Sequence, residues 1–186
     1  MISLFNESED SLKEKEERHL IEIGDQAVWS LSSAKPGHGV EQLRDGDAET
    51  FWQSDGKQPH YVNIQFDHKI SASRISIYID YTLDESYTPV SLAIYSGTFH
   101  HDLKEILKIH LKNPKGWCSW DLKHPNTINS PLRTNFIQIG IFKNKLGGKD
   151  THLRQIKIYG ENKPKISTLQ LPEFNSVEFS MFSSLK

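Results

Sequence analysis

The sequence predicts an all-β fold, a jelly-roll β-sandwich. Between residues 20 and 160, short runs with an apolar residue at every second position recur between clusters of Gly, Pro, Asn and Asp. This alternation is typical of antiparallel strands that bury one face. Seven or more such runs within about 140 residues predict two sheets packed face to face, because one open sheet would leave an apolar face in water.

The first two runs show the alternation clearly. They are YVNIQF at 61–66 and SRISIYID at 73–80. Each run places three apolar residues on one face: Val62, Ile64 and Phe66 in the first, and Ile75, Ile77 and Ile79 in the second. Further strands are predicted at 90–96, 105–111, 117–122, 135–142 and 152–160.

The run EILKIHL at 105–111 is the least regular of these. Its apolar residues Ile106, Ile109 and Leu111 fit neither the strand period nor the helix period throughout. The pattern alone therefore leaves both a strand and a helix open there.

One folded domain with two tails is the expected organisation, since 186 residues are enough for one core but not for two comfortable ones. Residues 1–19 are mostly charged or polar, which predicts a disordered or helical N-terminal tail. The jelly-roll domain is expected to span 20–160. Residues 161–186 are interpreted as a C-terminal extension, because they contain Pro and Ser and show no sustained alternation.

Charge and composition argue against two classes of partner. The chain carries 22 Lys and Arg against 24 Asp and Glu, without the basic surplus of nucleic-acid-binding proteins. No apolar run approaches the roughly 20 residues of a membrane span, so neither nucleic acid nor a membrane is expected as a partner. A single cysteine, Cys118, and the absence of a signal-peptide pattern favour a reducing compartment, the nucleus or cytoplasm.

No motif in the chain predicts catalysis, a metal or a cofactor. His100 and His101 would point to opposite faces of a strand, which does not suit joint metal binding and predicts surface histidines. LGGK at 146–149 lacks the spacing of a phosphate-binding loop and is interpreted as a hairpin turn. Cys118 lies in GWCSWD without a neighbouring base, so a packed strand thiol is favoured over a nucleophile.

The stretch RDGDAETFWQSDG, at 44–56, admits two interpretations. Asp45 and Gly46 can form a tight turn in which Asp47 accepts backbone N–H groups. In one interpretation the stretch is a corner of the sandwich, and Trp52 closes one end of the core. In the other it is the rim of a ligand site, because the loops of a sandwich gather at the ends of its sheets.

Several segments resemble known families. DGDAETFWQSDG, followed by the strand VNIQF, resembles the opening motif of galactose-binding-like, discoidin-type jelly rolls. More specific segments, between about Ile21 and Tyr159, are IGDQAVWSLSSAKPGHGVEQLRDGDAETFWQSDGKQPHYVNIQF, DYTLDESYTP and GGKDTHLRQIKIYG. Together they resemble the DOC-domain subunit of the anaphase-promoting complex, a ubiquitin ligase of mitosis.

The resemblance implies a non-catalytic domain that recognises substrates in the nucleus and cytoplasm. In that family the domain acts with a WD-repeat activator as a co-receptor for the destruction box of substrates such as cyclins. A second weak contact lowers the off-rate of the substrate, so more ubiquitins are added in each encounter. The corner at 44–56 is then expected to form part of the surface facing the scaffold, and not the degron site.

The resemblance also implies a degron-binding surface in two loops. The implied residues are Ser86, Tyr87, Gly148, Asp150, Thr151, His152, Arg154 and Gln155. Their polar groups can pair with an extended peptide, and Gly148 would let its backbone approach closely. We expect the loop to be exposed, so that Asp150→Ala with His152→Ala leaves folding nearly unchanged. From the residues alone, an ordinary polar hairpin is favoured instead.

Two positions depart from the family pattern. Gly147 stands where the family commonly has Asn, which removes an amide that would contact the degron. The chain ends in Leu185 and Lys186, where the family ends in an Ile-Arg dipeptide that docks in a tetratricopeptide-repeat scaffold subunit. Lys lacks the planar, two-pronged hydrogen bonding of Arg, so looser docking is expected.

Two other functions remain as alternatives. A carbohydrate-binding module is indicated by the superfamily motif and by three candidate exposed aromatic residues, Trp29, Trp52 and Tyr87. A glycosidase with an Asp/Glu pair rests only on the abundance of acidic residues.

Overall fold

The computed structural model describes residues 20–123 and 130–161, and it has the predicted all-β fold. The predicted N-terminal tail and nearly all of the C-terminal extension lie outside these ranges. The strands are β1 (Leu20–Glu22), β2 (Ala27–Leu31), β3 (Trp52–Gln53), β4 (His60–Asp80), β5 (Pro89–Gly97), β6 (Lys104–His110), β7 (Lys115–Asp121), β8 (Leu132–Asn144), β9 (His152–Leu153) and β10 (Gln155–Glu161).

Short helical segments connect some of the strands. They are the α-helices α1 (Val40–Arg44) and α2 (Tyr81–Asp84), and 3-10 turns at Gly24–Gln26, Glu85–Tyr87 and Lys145–Gly147. In the part of the chain that the structure describes, no helix is long and apolar enough to cross a membrane.

The long strand β4 belongs to both layers of the sandwich. Its 21 residues contain a register shift between Gln65 and Ile70. The part before the shift pairs with β2 and β8. After the shift, Ile70, Ser71 and Ala72 still pair with β8, and residues 72–80 pair with β10 and β7. Strand β8 also pairs with β5, which pairs with β6, and β10 also pairs with β1. A larger layer, β2-β4-β8-β5-β6, therefore packs against a smaller layer, β1-β10-β4-β7.

The core lies between these two layers. Both predicted apolar faces of β4 contribute to it, with Val62, Ile64, Phe66, Ile75, Ile77 and Ile79 all buried. Further buried isoleucines come from β8 and β10: Ile137, Ile139, Ile141, Ile156 and Ile158. Each fully buried aliphatic side chain contributes about 1.5–3 kcal/mol relative to an exposed one. This core fixes the layers, and with them the positions of the loops at their ends.

The run at 105–111 forms the edge strand β6 and not a helix. Its register against β5 shifts, so that Ile94 faces Leu107 while Tyr95 faces Glu105. Ile106 is the extra residue at this bulge. Because a bulge interrupts the alternation of faces, the apolar residues of this run fit neither period.

The other predicted strands are confirmed, and the runs at 61–66 and 73–80 are joined in the single strand β4. The predicted strand at 152–160 is divided at Arg154, because β9 pairs with β3 while β10 pairs with β4. The sequence pattern does not predict β2, since Val28 is an exposed apolar residue that breaks the alternation.

Three smaller predictions have mixed outcomes. LGGK does not close a hairpin, since β8 pairs with β4 and β5 whereas β9 pairs with β3. His100 and His101 are exposed as predicted, but they lie in the turn after β5 and not on a strand. Cys118 is a half-buried thiol within β7, and burial raises its pKa, which agrees with the predicted packed thiol.

The stretch at 44–56 forms the predicted corner, and we refer to it below as the corner. Gly46 has a φ of +83°, and the carboxylate of Asp45 accepts the N–H of Asp47 at 2.9 Å. The carboxylate of Asp47 in turn accepts the N–H of Glu49 at 2.9 Å. Trp52 is fully buried, so it closes one end of the core as expected.

Candidate functional site

The residues implied by the resemblance come from two loops that the fold brings together. The first loop, residues 81–88, joins β4 to β5, and the second loop, residues 145–155, leads from β8 into the first residue of β10. Their backbones are in contact, since the N–H of Lys145 donates to the carbonyl of Thr88 at 2.9 Å. The two predicted segments therefore form one surface at an end of the sandwich.

Gly148 allows the closest contact between these loops. A Cβ atom at this position would lie 2.0 Å from the carbonyl oxygen of Ser86, which is far inside contact distance. The N–H of Gly148 donates to the carbonyl of Lys145 at 3.0 Å and closes the turn. The close approach for which glycine is needed is thus made by Ser86 of the same chain, whereas the resemblance implied a peptide there.

A buried acid, Asp84, lies beneath the two loops. It accepts two hydrogen bonds from Arg154, from Nε to Oδ2 at 3.0 Å and from Nη2 to Oδ1 at 2.9 Å. His152 Nδ1 lies 3.0 Å from the same Oδ1. Burial alone would raise the pKa of Asp84, but the hydrogen bonds from His152 and Arg154 outweigh it and hold this pKa below its ordinary value. The carboxylate is therefore a buried charge that the chain itself compensates.

Four rings stack through the same region. Tyr87 stacks on His152 with ring centroids 4.1 Å apart, His152 stacks on Phe51 at 4.2 Å, and Phe51 stacks on His38 at 4.6 Å. His152 Nε2 is enclosed and has no hydrogen-bond partner among the described residues. An Asp–His pair can activate a nucleophile, but in these ranges no hydroxyl or thiol is bonded to Nε2. The arrangement here orders the loops.

The corner is joined to the second loop by two buried side chains. Gln155 Nε2 donates to Asp45 Oδ1 at 2.7 Å, and Gln155 Oε1 accepts the N–H of Gly46 at 3.0 Å. Arg154 Nη1 donates to the carbonyl of Ala48 at 2.7 Å. The corner and the second loop are therefore one packed unit. We call the buried set Asp84, His152, Arg154 and Gln155 the base.

Four of the implied residues are buried, contrary to the expectation of an exposed polar loop. They are Thr151, His152, Arg154 and Gln155. Each has a partner within the chain, and for Thr151 the Oγ1 hydroxyl donates to the carbonyl of Tyr87 at 3.3 Å. The expectation that Asp150→Ala with His152→Ala leaves folding unchanged is therefore wrong in its premise, because His152 is enclosed between two rings.

The other implied residues, together with two leucines, are accessible to a partner. We call this surface the loop tip: Leu83, Ser86, Tyr87, Leu146, Gly148 and Asp150. Tyr87 is 37% exposed and Leu146 is 80% exposed. Leu146 has a φ of +52°, a left-handed conformation that is uncommon for leucine. Nothing in the sequence marks Leu83 and Leu146, since leucines are usually buried.

The remaining site predictions are placed as follows. Leu185 and Lys186, the implied docking tail, lie outside the described residues. Trp52 is buried and Trp29 is half-buried, with its indole N–H donating to the carbonyl of Gly24 at 2.8 Å. Neither is the open aromatic platform that the carbohydrate-binding alternative proposed. Across 20–123 and 130–161, no group of three or more His, Cys, Asp or Glu is arranged to hold a metal ion.

Sequence comparison relates nearly the whole chain to one family. The family model described as Anaphase-promoting complex, subunit 10 matches residues 5–184. Anaphase-promoting complex subunit 10 of Dictyostelium discoideum is 47% identical over 178 residues, which cover 96% of this chain and 93% of that protein. The protein of the same name from Homo sapiens is 48% identical over 165 residues, covering 89% of this chain and 88% of that protein.

Structural comparison agrees with the sandwich architecture. A family 32 carbohydrate-binding module from C. perfringens NanJ, solved in complex with galactose, matches with a TM-score of 0.61. The match covers 75% of this chain and 98% of that one, at 14% sequence identity. At this identity the similarity shows the fold alone, a galactose-binding-like jelly roll, and confirms the predicted fold class.

Proposed function

Because the chain belongs to the anaphase-promoting complex subunit 10 family, we propose that it is a non-catalytic substrate-recognition subunit of this ubiquitin ligase. It acts with a WD-repeat activator as a co-receptor for the destruction box of substrates such as cyclins, in the nucleus and cytoplasm. The observation that carries the proposal is the loop tip, where accessible polar and apolar groups stand on a buried, ordered base.

The chemistry of the loop tip suits an extended peptide. The Ser86 hydroxyl can donate or accept a hydrogen bond, and the Asp150 carboxylate can accept N–H groups of a peptide backbone. The exposed ring of Tyr87 and the exposed side chain of Leu146 provide apolar contact beside these polar groups. This mixture favours a short peptide over a small, fully enclosed ligand.

The base keeps the loop tip ordered before a peptide arrives. One face of the Tyr87 ring is covered by His152, at 8° between the ring planes, so its position is held by stacking. Asp84 in turn holds His152 and Arg154. A surface that is already ordered loses less conformational entropy on binding, which strengthens a contact made by few groups.

The loop tip offers few groups, so the isolated protein should bind a destruction box weakly. Within an assembled ligase the activator holds the same peptide, and the second contact becomes intramolecular. A weak contact then lowers the off-rate of the substrate, and more ubiquitins are added in each encounter. This is the co-receptor role.

The scaffold contacts belong to the same proposal. Leu185 and Lys186 would dock in a tetratricopeptide-repeat subunit through an apolar side chain, a cation and the terminal carboxylate. Purification of the tagged chain from its own cells, with and without these two residues, tests this role by mass spectrometry. Recovery of the ligase with the full chain and a reduced yield with the truncated chain is the expected result.

The recognition role is tested by substrate ubiquitination in a single-encounter assay with the assembled ligase. Tyr87→Ala with Asp150→Ala should shorten the ubiquitin chains while the variant still enters the complex. Phe142→Ala is the matched control, because Phe142 is an exposed aromatic residue on the larger layer. Unchanged chain lengths for the loop-tip variant would contradict the proposal. Glycan binding by the isolated chain, measured on an array, would instead support the carbohydrate-binding alternative, which rests on the fold.

A further inference from the structure

The outer face of the smaller layer carries a second concave surface, which shares no residue with the loop tip. Strands β4, β7 and β10 form a trough of about 310 Å³ there. We call it the sheet trough, and its main lining residues are Arg74, Ser76, Trp117, Ser119, Lys157 and Tyr159. None of these residues belongs to the base either, so the trough has no part in ordering the loops.

Small residues between large ones create this depression. Ser76 and Ser119 face each other in the register of β4 and β7, and their Oγ atoms are 2.7 Å apart. On one side of the two serines, two positions away on each strand, Trp117 of β7 packs edge-on against Tyr78 of β4, with ring centroids 5.5 Å apart. On the other side, Tyr159 of β10 pairs with Arg74, which lies two positions before Ser76 in β4. The two serines therefore form a floor between aromatic walls.

Three residues of the sheet trough, Arg74, Trp117 and Tyr159, are of types that are enriched in protein interfaces. Trp117 is 46% exposed, although Trp is large and mostly apolar. Trp, Tyr and Arg are the residues that most often dominate binding energy at protein interfaces. A concave surface that groups these residue types around a polar floor points to a protein partner.

The charges of the sheet trough indicate the chemistry of that partner. Its lining contains two cations and no acid, although the whole chain has a net charge of −2. Arg74 donates from Nε to Asp121 Oδ1 at 3.0 Å. Lys157 Nζ lies 5.0 Å from the centre of the Trp117 ring and forms no ion pair with the residues that the structure describes. Lys157 is thus a cation held over an aromatic ring and available to a carboxylate.

We propose that the sheet trough binds a short, extended, acidic segment of another protein. A carboxylate of this segment contacts Lys157, and a neighbouring apolar side chain packs against Trp117 and over the floor formed by Ser76 and Ser119. Because the ammonium group already lies over the Trp117 ring, the two contacts reinforce each other in one geometry. The site is separate from destruction-box binding and requires only that the protein has a macromolecular partner.

A carbodiimide, which joins a lysine to a carboxylate in direct contact, tests this proposal in the complex purified with the full-length chain. Mass spectrometry should find Lys157 linked to an Asp or Glu within an acidic segment of another protein. Lys157→Arg keeps the charge but cannot form this amide, so the link should vanish while the complex is recovered. Trp117→Ala should lower the yield of the link at least about tenfold, whereas the matched control Phe142→Ala should not.

Three outcomes would overturn the proposal. One is that other lysines of the chain are linked in the same sample but Lys157 is not. A second is that Lys157 is linked only to carboxylates of its own chain, including residues 1–19, or of a second copy. A third is that a peptide with the linked sequence binds Lys157→Glu as tightly as the unaltered chain, instead of about tenfold more weakly. A failure of the destruction-box proposal would appear in the ubiquitination assay and leave these results unaffected.

Discussion

The loop tip and the base come from the same two loops but use their polar groups in opposite ways. In the base, Asp84, Arg154 and Gln155 direct their hydrogen bonds to other parts of the chain. In the loop tip, Ser86 is partly exposed, and the Asp150 carboxylate lies near the surface with an ion pair to Lys35 at 3.4 Å. A loop proposed for peptide recognition can therefore owe much of its polar sequence to its own order, and neighbouring positions can have unrelated roles.

Asp84→Ala should have the largest effect on the base. It leaves the Arg154 guanidinium buried without its carboxylate, and losing one partner of a buried pair typically lowers the free energy of unfolding by about 3–5 kcal/mol. Urea unfolding measures this loss. Asp55→Ala, at an exposed acid of the corner, should change stability little. Equal losses of unfolding free energy for the two variants would contradict the distinction between buried and accessible acids.

Gly148→Ala should have the second largest effect on stability, because the new Cβ would collide with the carbonyl of Ser86 and force the two loops apart. Overpacking of this kind lowers the free energy of unfolding by about 1–3 kcal/mol, and we expect the upper end. Gly147→Ala is the matched control, since a Cβ there meets nothing within 4 Å and only its φ of +74° is unfavourable. Its expected loss is about 1 kcal/mol. A larger loss of stability for Gly147→Ala than for Gly148→Ala would contradict the close contact between Gly148 and the Ser86 carbonyl.

His152→Ala should destabilise the protein by about 2 kcal/mol, because it removes one hydrogen bond to buried Asp84 and opens a space between two rings. Thermal and urea unfolding measure the change. His101→Ala, an exposed histidine in the turn after β5, is the control and should be neutral. If His152→Ala leaves the stability unchanged, the expectation of a wholly exposed loop is supported instead.

Most of the strands and the corner could be predicted from the sequence, but the base could not. Residues such as Val62 and Ile64 occupy alternate positions of one strand, so nearby positions in the sequence are enough to predict their shared face. The corner also carries its turn within a few residues, at Asp45 to Asp47. Asp84 and His152, in contrast, are 68 positions apart, and spacing does not reveal such a pair.

The accessible leucines could not be predicted for a different reason. Leu146 is exposed because the turn at Lys145–Gly147 holds it with a positive φ, and that conformation depends on the contact between the two loops. The apolar pattern of β6 was ambiguous because a bulge lies inside the strand. In both cases the conformation is set with a neighbouring segment, the first loop for Leu146 and β5 for β6, and not by the run itself.

The pH dependence of stability offers a smaller and more specific test of the base. The pKa of Asp84 is held below its ordinary value of 3.8, so its ionised form stabilises the folded state fully above that pH. The stability advantage of the unaltered chain over Asp84→Asn should shrink as the pH falls from about 5 to below about 4, because the Asp84 carboxylate is protonated there. Urea unfolding across this range measures it. An advantage that grows as the pH falls below about 4 would contradict the assigned hydrogen bonds.

Asp150→Ala should have the smallest effect on stability, within about 0.5 kcal/mol. Its carboxylate has an ion pair with Lys35 at 3.4 Å near the surface, and such pairs contribute only about 0–1 kcal/mol. The hydrogen bond from Asn144 goes to the backbone carbonyl of residue 150, which alanine retains. Ubiquitination by the assembled ligase should nevertheless yield shorter chains with Asp150→Ala. If instead Asp150→Ala unfolds as readily as His152→Ala, residue 150 belongs to the base, and the accessible polar surface shrinks to Ser86, Tyr87 and the backbone of Gly148.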